Sequence, residues 1–364
     1  MVILVILLIL TVLFQLIYAS FFFQRIFLYR SVPSSFNKGV SVIICAKNEE
    51  ENISNNLVSV LEQNYSKYEV IVVNDQSKDS TQYILNELDK KYPHLSVVSL
   101  DDKVNTRVGK KMALTIGIKT AKYDYILLTD ADCQPSSKDW ISMMASNFNK
   151  SEIVLGISPY KKDKSILNRL IRFDEFQVML QYLSFALAGY PYMGVGRNLA
   201  YKKSLFFSVK GFAKHMHIAS GDDDLFINEV SNKDNISIEI RQESDMISIA
   251  EKTYTNWYYQ KRRHFTTSRF YSIKHKILLS IWPLSQFLFW FIGIFLVIFF
   301  NDPLLIIFIL LFRFILYYFI YYKVMKRLRS YDLFYLYPII EFMYIILQLF
   351  FVLLVPIYKV NRWK

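Results

Sequence analysis

Val40-Ser-Val-Ile-Ile-Cys-Ala-Lys-Asn-Glu-Glu50 is an apolar run of strand character that breaks into polar residues and then into the helical pattern of 50–62. A second apolar run, Glu69 to Val73, ends at Asn74 and Asp75, and a helical stretch follows from about Ser80 to Lys91. Leu95 to Leu100 and Tyr125 to Thr129 read as two further strands. Strands alternating with helical stretches predict an α/β domain, a mostly parallel sheet flanked by helices. In such sheets ligands sit beyond the carboxyl ends of the strands, where Lys47, Asn48, Asp75 and Asp130 fall. No Gly-x-Gly-x-x-Gly follows the first strand and no P-loop pattern occurs near it, which argues against a dinucleotide oxidoreductase and a P-loop NTPase.

Around this domain the chain is apolar. Its 364 residues are 53% apolar and 17% aromatic, which argues against disorder and leaves room for several spans. Residues 1–23 carry no charge, are long enough to cross a bilayer and lack the basic n-region of a signal peptide, so they read as a retained N-terminal span. Three more apolar runs cover 277–300, 303–322 and 334–358, with a short tail at 359–364. Arg25 and Arg30 follow the first run and Lys323 to Arg329 separate the last two. The positive-inside rule then places the N-terminus outside and the α/β domain in the cytoplasm. Four spans leave the C-terminus outside, a topology that Lys359, Arg362 and Lys364 oppose mildly.

The formal charge of +12 is compatible with nucleic acid, anionic lipid or a phosphorylated substrate. Much of it sits in Lys261, Arg262, Arg263, Arg269, Lys274 and Lys276, just before an apolar run, which fits a membrane flank. No basic and aromatic stripe of the single-strand-binding kind stands out, so no nucleic-acid partner is expected. Cys45 and Cys133 have neither the number nor the spacing of a disulfide framework or a thiolate zinc site and read as reduced. Arg313 and Glu341 lie inside apolar runs, where charge is costly unless paired or snorkelled. A structural pair and a headgroup-holding role are both open. Leu167 to Tyr190 reads either as helices dipping an apolar face into the membrane interface or as a packed core helix.

Four acidic points carry the chemistry. Thr129-Asp130-Ala131-Asp132 follows a buried strand, and two hard carboxylates there suit Mg²⁺ or Mn²⁺ against a diphosphate. Alone, Asp-x-Asp is commonly a solvated loop pair; Asp75 at the end of a neighbouring strand strengthens the site reading. Asn105-Thr-Arg-Val-Gly-Lys110 reads as a loop opening a helix, with Lys110 able to reach a phosphate or simply solvated. Tyr192-Met-Gly194-Val-Gly196-Arg197-Asn198 is a glycine-bearing turn, suited to close approach of backbone to a sugar or to an ordinary turn. Asp222-Asp223-Asp224 begins a helix; one aspartate serves as a cap, but three repel and need a cation or basic partner. Gln260 and Arg263 share a helical face just before the second apolar run, where together they suit a diphosphate at the membrane surface.

In this order the motifs resemble a family 2 glycosyltransferase, in the membrane-attached branch with the cellulose, hyaluronan, poly-N-acetylglucosamine and ceramide glucosyl transferases. The resemblance runs over about 40–270 and into the C-terminal spans. It implies a GT-A domain at 31–250, an interfacial helix at 251–276 and three spans at 277–358. It further implies an inverting transfer from a nucleoside-diphosphate sugar, UDP-linked first and GDP-linked second, to a lipid or glycan hydroxyl at the inner membrane. Asn48 and Glu49 match the post-strand residues near the nucleoside, Asp75 the base-binding aspartate and Lys110 the lysine of the nucleotide loop. Asp130 and Asp132 match the metal-binding Asp-x-Asp, with Asp132 expected on the metal. Asp222 matches the catalytic base, although Gly221 stands where a glutamate is usual. Gln260 and Arg263 match Gln-x-x-Arg-Trp, with His264 in place of the tryptophan. Gly194, Gly196, Arg197, Asp223 and His264 are candidates for acceptor or donor contact. A processive polysaccharide synthase and a non-catalytic, membrane-anchored nucleotide-sugar-binding module are the alternatives, and membrane-protein partners are left open.

Overall fold

The computed structural model describes residues 1–32, 34–100, 109–218 and 220–354. They form two compact units, one made of Arg30–Lys162 and Gly189–Glu251, the other of Met1–Tyr29, Asp163–Ala188 and the chain from Lys252 onward. The segment 163–188, inside the expected 31–250 domain, thus belongs with the spans. The sequence predictions for 101–108 and for the chain beyond 354 lie outside the described residues.

In the sheet-bearing unit the strands are β1 (Val40–Ala46), β2 (Tyr68–Asn74), β3 (Leu95–Ser99), β4 (Tyr125–Asp130), β5 (Cys133–Pro135), β6 (Ile153–Leu155), β7 (Leu199–Lys202), β8 (Ile236–Ile238) and β9 (Met246–Ser248). Seven described strands form one sheet in the order β3-β2-β1-β4-β7-β6-β8, and β5 pairs with β9. The first four are mutually parallel, as predicted, with Val42 of β1 opposite Val70 of β2 and Leu127 of β4. All seven residues of β1 are buried, which is why it lacks the alternation of a half-exposed strand and reads as one apolar run. Helix Glu50–Leu61 covers the sheet with Ile53, Leu57, Val60 and Leu61, a single helical stripe.

β7 is antiparallel to both β4 and β6, with Leu199 opposite Leu128 and Leu155. The turn that precedes β7 therefore lies at the same edge as the carboxyl ends of the parallel strands. Buried Asn198 fixes that turn, donating to the carbonyls of Ile157 and Ser244 at 2.8 Å each and accepting from Trp140 Nε1 at 3.0 Å.

The second unit holds four helices long and apolar enough to cross a membrane: Val2–Leu28, Ile273–Phe299, Pro303–Arg327 and Tyr331–Val352. Asp302 caps the third, accepting from the Leu305 N–H at 3.2 Å, and Pro303 takes the first helical position, where its missing N–H costs nothing. Arg313 and Glu341 are a structural pair. Their bidentate contacts are 2.7 and 2.8 Å, and both side chains are wholly buried. Gln15 accepts from Arg313 Nε at 3.0 Å, while Gln286 and the Tyr337 hydroxyl donate to Glu341 at 2.8 and 2.6 Å. The Arg313 guanidinium also lies 4.3 Å from the centre of the Tyr317 ring. Every candidate span thus supplies a polar group to one knot, which meets the requirement that a charge at such depth be paired.

Of the two readings open for 167–190, the packed helix is observed. Helix Ile166–Leu187 buries residues on all sides, charged ones included. Arg172 pairs with Asp332 at 2.6 and 2.8 Å and Asp174 with Lys261 at 2.7 Å.

Candidate active site

At the end of β2 the chain turns outward because Asn74 Oδ1 accepts from the N–H and hydroxyl of Ser77 at 3.3 and 2.5 Å. This turn presents Asp75, whose backbone N–H donates to the Ala46 carbonyl of β1 at 2.8 Å. The Asp75 side chain is fully buried; Oδ2 meets Lys47 Nζ at 3.4 Å and Oδ1 has no hydrogen-bond partner among the described residues. A buried carboxylate oxygen without a donor is costly, so Oδ1 is able to accept one from a ligand.

Asn48 and Glu49 sit on the adjoining turn and lace it to the loop after β2. Asn48, at φ +54°, accepts from the Lys78 N–H at 2.8 Å, and the Glu49 N–H donates to Thr81 Oγ1 at 2.9 Å. Asn48 is exposed and Glu49 buried. Both hold the rim around Asp75.

Asp130 is the last residue of β4, in register with Cys45 of β1. Lys110 opens helix Lys110–Thr120 and reaches across to Asp130 Oδ1 at 2.9 Å and Asp222 Oδ2 at 3.2 Å. Of the readings offered for Lys110 the simply solvated one does not hold: its ammonium bridges Asp130 and Asp222. Burial disfavours its charge, but Asp130 and Asp222, with Asp223 behind them, outweigh this and hold its pKa well above the ordinary lysine value. The next residue, Lys111, is buried and donates to the carbonyls of His215 and Ile218 at 2.6 and 3.1 Å, tying the segment before Asp222 to the same helix.

Gly221 takes φ +93°, and a Cβ there would stand 2.6 Å from Leu225 Cδ1. Any side chain at this position would be strained by that backbone. Asp223 caps helix Asp224–Val230 through the Asp224 N–H at 2.8 Å and accepts from the Gly196 N–H at 2.7 Å. Its carboxyl is pushed up to about 7 by burial and then by the charges of Asp222 and Asp224, with Lys110 and the Gly196 N–H opposing. Gly196 serves Asp223 directly, and a Cβ on it would lie 3.3 Å from Asp223 Oδ2. Gly194 packs against Leu199, Ile227 and Leu155. The structure thus gives both glycines an internal reason.

Asp132, one residue past Ala131, accepts from Cys133 Sγ at 3.3 Å. Arg197 is held over the Tyr160 ring at 4.4 Å, a contact no short motif announces. Buried Tyr201 and Thr129 hydroxyls, without hydrogen-bond partners among the described residues, also escaped the sequence reading because their strands look purely structural. Gln260, Arg263 and His264 lie on helix Tyr254–Ser268 of the span-bearing unit; Gln260 and Arg263 are half-buried and His264 exposed.

Among the described residues no group of three or more His, Cys, Asp or Glu is gathered so that it could hold a metal ion by itself. The donors are nevertheless hard carboxylate oxygens, and a cation, the Lys110 ammonium, already stands between two of them. This set fits a divalent ion whose remaining ligands come from a diphosphate.

Residues 41–208 match the family model described as Glycosyl transferase family 2. That segment, somewhat less than half of the chain, is similar to family 2 glycosyltransferase domains. Asp222 lies beyond the matched segment and is joined to it by Lys110. The domain is 37% identical over 110 residues to the poly-β-1,6-N-acetyl-D-glucosamine synthase of Staphylococcus epidermidis, covering 30% of this chain and 25% of that protein. It is 32% identical over 183 residues to the protein named Probable glycosyltransferase YdaM of Bacillus subtilis, covering 48% of this chain and 42% of that one. The chain therefore spans well under half the length of these relatives. A mannosyltransferase from Pyrobaculum calidifontis, solved in complex with GDP-Man and Mn²⁺, superposes with a TM-score of 0.58 at 16% identity over 94% of this chain and 96% of that one. At that identity the likeness is one of fold: a GT-A-like, mostly parallel sheet with flanking helices, together with candidate spans.

Proposed function

We propose that this protein is an inverting glycosyltransferase that moves a sugar from a nucleoside-diphosphate sugar to a hydroxyl of a lipid-linked or polysaccharide acceptor. We further propose that it works on the cytoplasmic face of the cell inner membrane, since basic residues flank the inner ends of the candidate spans. The observation that carries the reading is the Lys110 bridge, which joins the end of β4 to the start of helix Asp224–Val230 and so unites Asp130 and Asp222.

Asp75, with Lys47, is assigned to the nucleoside because its buried Oδ1 is open to a donor; Asn48 and Glu49 shape that rim. Asp130 and Asp132 would hold Mg²⁺ or Mn²⁺, which when bound offsets the charge of the diphosphate. Asp222 accepts the proton of the acceptor hydroxyl as its oxygen bonds to the anomeric carbon. The bond to the diphosphate breaks on the opposite face, which inverts the centre. Lys110 supplies positive charge to the departing diphosphate, an electrostatic role. Asp223, which accepts from Gly196, and Arg197, which lies over Tyr160, are assigned to the sugar hydroxyls in this reading. UDP-linked donors are favoured and GDP-linked donors come second.

A processive polysaccharide synthase is the second reading, favoured by the synthase name of the Staphylococcus epidermidis relative. Incubating the purified full chain with a panel of UDP- and GDP-sugars, Mg²⁺ or Mn²⁺ and membrane lipids tests both. Nucleotide release that Asp132→Asn abolishes supports transfer, and product length separates one sugar from a polymer. No turnover with any donor, or turnover indifferent to Asp132→Asn, contradicts the enzyme reading and leaves a binding module.

A further inference from the structure

We infer that Lys110 is an exchangeable internal cation: it competes with the divalent ion for Asp130, and the arrival of ion and donor moves it to the diphosphate, releasing Asp222. The inference rests on the transfer reading above and adds an order of events to it.

Lys110 Nζ lies 2.9 Å from Asp130 Oδ1 and 3.2 Å from Asp222 Oδ2, with 17% of its side chain exposed. An ammonium so placed satisfies carboxylates that would otherwise repel one another, Asp223 and Asp224 included. A divalent ion taking oxygens of Asp130 would stand within a few ångströms of Nζ, and two cations cannot share that position without strong repulsion. Lys110 must therefore give way, and the departing diphosphate is the nearest group with spare negative charge in the proposed complex. The move has a consequence for the base, because Asp222 Oδ2 is held by Lys110 until then. A base that becomes available only after the donor is seated cannot deprotonate an acceptor prematurely. Lys111 makes the exchange local: its bonds to the carbonyls of His215 and Ile218 anchor the same helix start through a neighbouring side chain, so Lys110 can leave without unfastening the backbone.

The test is a pair of binding measurements on the full chain in detergent, reading free Mn²⁺ by its electron paramagnetic resonance signal. Lys110→Met keeps the length and removes the charge. Without nucleotide it should bind Mn²⁺ on the order of tenfold more tightly than wild type, the low end for removing a unit charge beside the site. With UDP present it should bind the Mn²⁺–UDP pair more weakly, because the diphosphate has lost its lysine. A merely structural lysine would weaken both or neither, and that result overturns the inference. Should Lys110→Met fail to fold, the wild type supplies the reading: acylation of Lys110, followed by mass spectrometry, should quicken with Mn²⁺ alone and slow again when UDP is added. A labelling rate indifferent to Mn²⁺ refutes the exchange. Neither readout needs turnover, so an inactive enzyme would cost the transfer reading and leave this result interpretable.

Discussion

Arg313 and Glu341 meet with neither side chain exposed, and Gln15, Gln286 and Tyr337 complete their hydrogen bonds. Lys110, Asp130 and Asp222 meet with 17, 30 and 10% of their side chains exposed, and Asp75 Oδ1 has no donor among the described residues. In the first cluster the two charges are fully paired with each other. They join helices between which hydrophobic contact alone discriminates poorly. The second is partly open to solvent, and Lys110 serves two of its carboxylates at once. Among buried ionic groups, incomplete satisfaction distinguishes a place built for a ligand from one built for packing.

Replacing the base should show the contrast most strongly. Asp222→Asn is expected to lower transfer by roughly 10²- to 10⁴-fold with nucleotide affinity nearly unchanged, as read by turnover and by UDP binding on the same preparation. Loss of binding with transfer retained would place Asp222 on the donor instead. Arg313→Met should do the reverse. Leaving Glu341 buried and unpaired costs about 3–5 kcal/mol, visible as a lower melting temperature in detergent, while Arg313→Met with Glu341→Met should recover much of the loss. Similar melting of the single and double variants would mean that the knot does not act as a pair.

The two clusters also differ in how far the sequence announced them. β1, β2 and β4 were legible because burial on both faces leaves uninterrupted apolar runs that stop at Asn74 and Asp130. Asp75, Asp130 and Asp222 were legible because carboxylates at strand ends and helix starts are scarce in a chain this apolar. β6, β8 and β9 were not, since three residues carry no period. Helix Ile166–Leu187 was ambiguous for a related reason: the partners that let Arg172 and Asp174 be buried, Asp332 and Lys261, lie far along the chain. The contacts of Lys110 with Asp130 and Asp222 were not legible, because nothing local specifies a partner on a distant segment.

A smaller effect concerns Gly221. Alanine there must hold φ +93° and clash with Leu225, at a cost of roughly 1–3 kcal/mol. Melting of Gly221→Ala checks this, and transfer should fall with it because Asp222 follows directly. Full activity in that variant would show that the base does not need this backbone.

The smallest effect is a pH dependence. Asp223 titrates at about 7 in the folded chain against 3.8 ordinarily. The folded protein therefore binds more protons than the unfolded one between those values, and this group's contribution to stability falls as pH rises through that window. Asp223→Asn should gain on wild type in melting temperature as pH goes from about 4 to about 7. A constant difference would place Asp223 in a less buried or better compensated setting.

The open cluster is tested most directly by equilibrium binding of UDP to the full chain, with and without Mn²⁺, in wild type, Asp132→Ala and Arg313→Met. Carboxylates gathered around one cation predict that wild type binds UDP tightly only with Mn²⁺ and that Asp132→Ala loses this dependence. Any folded fraction of Arg313→Met should keep it. Equal binding by wild type and Asp132→Ala at every Mn²⁺ concentration would contradict the account.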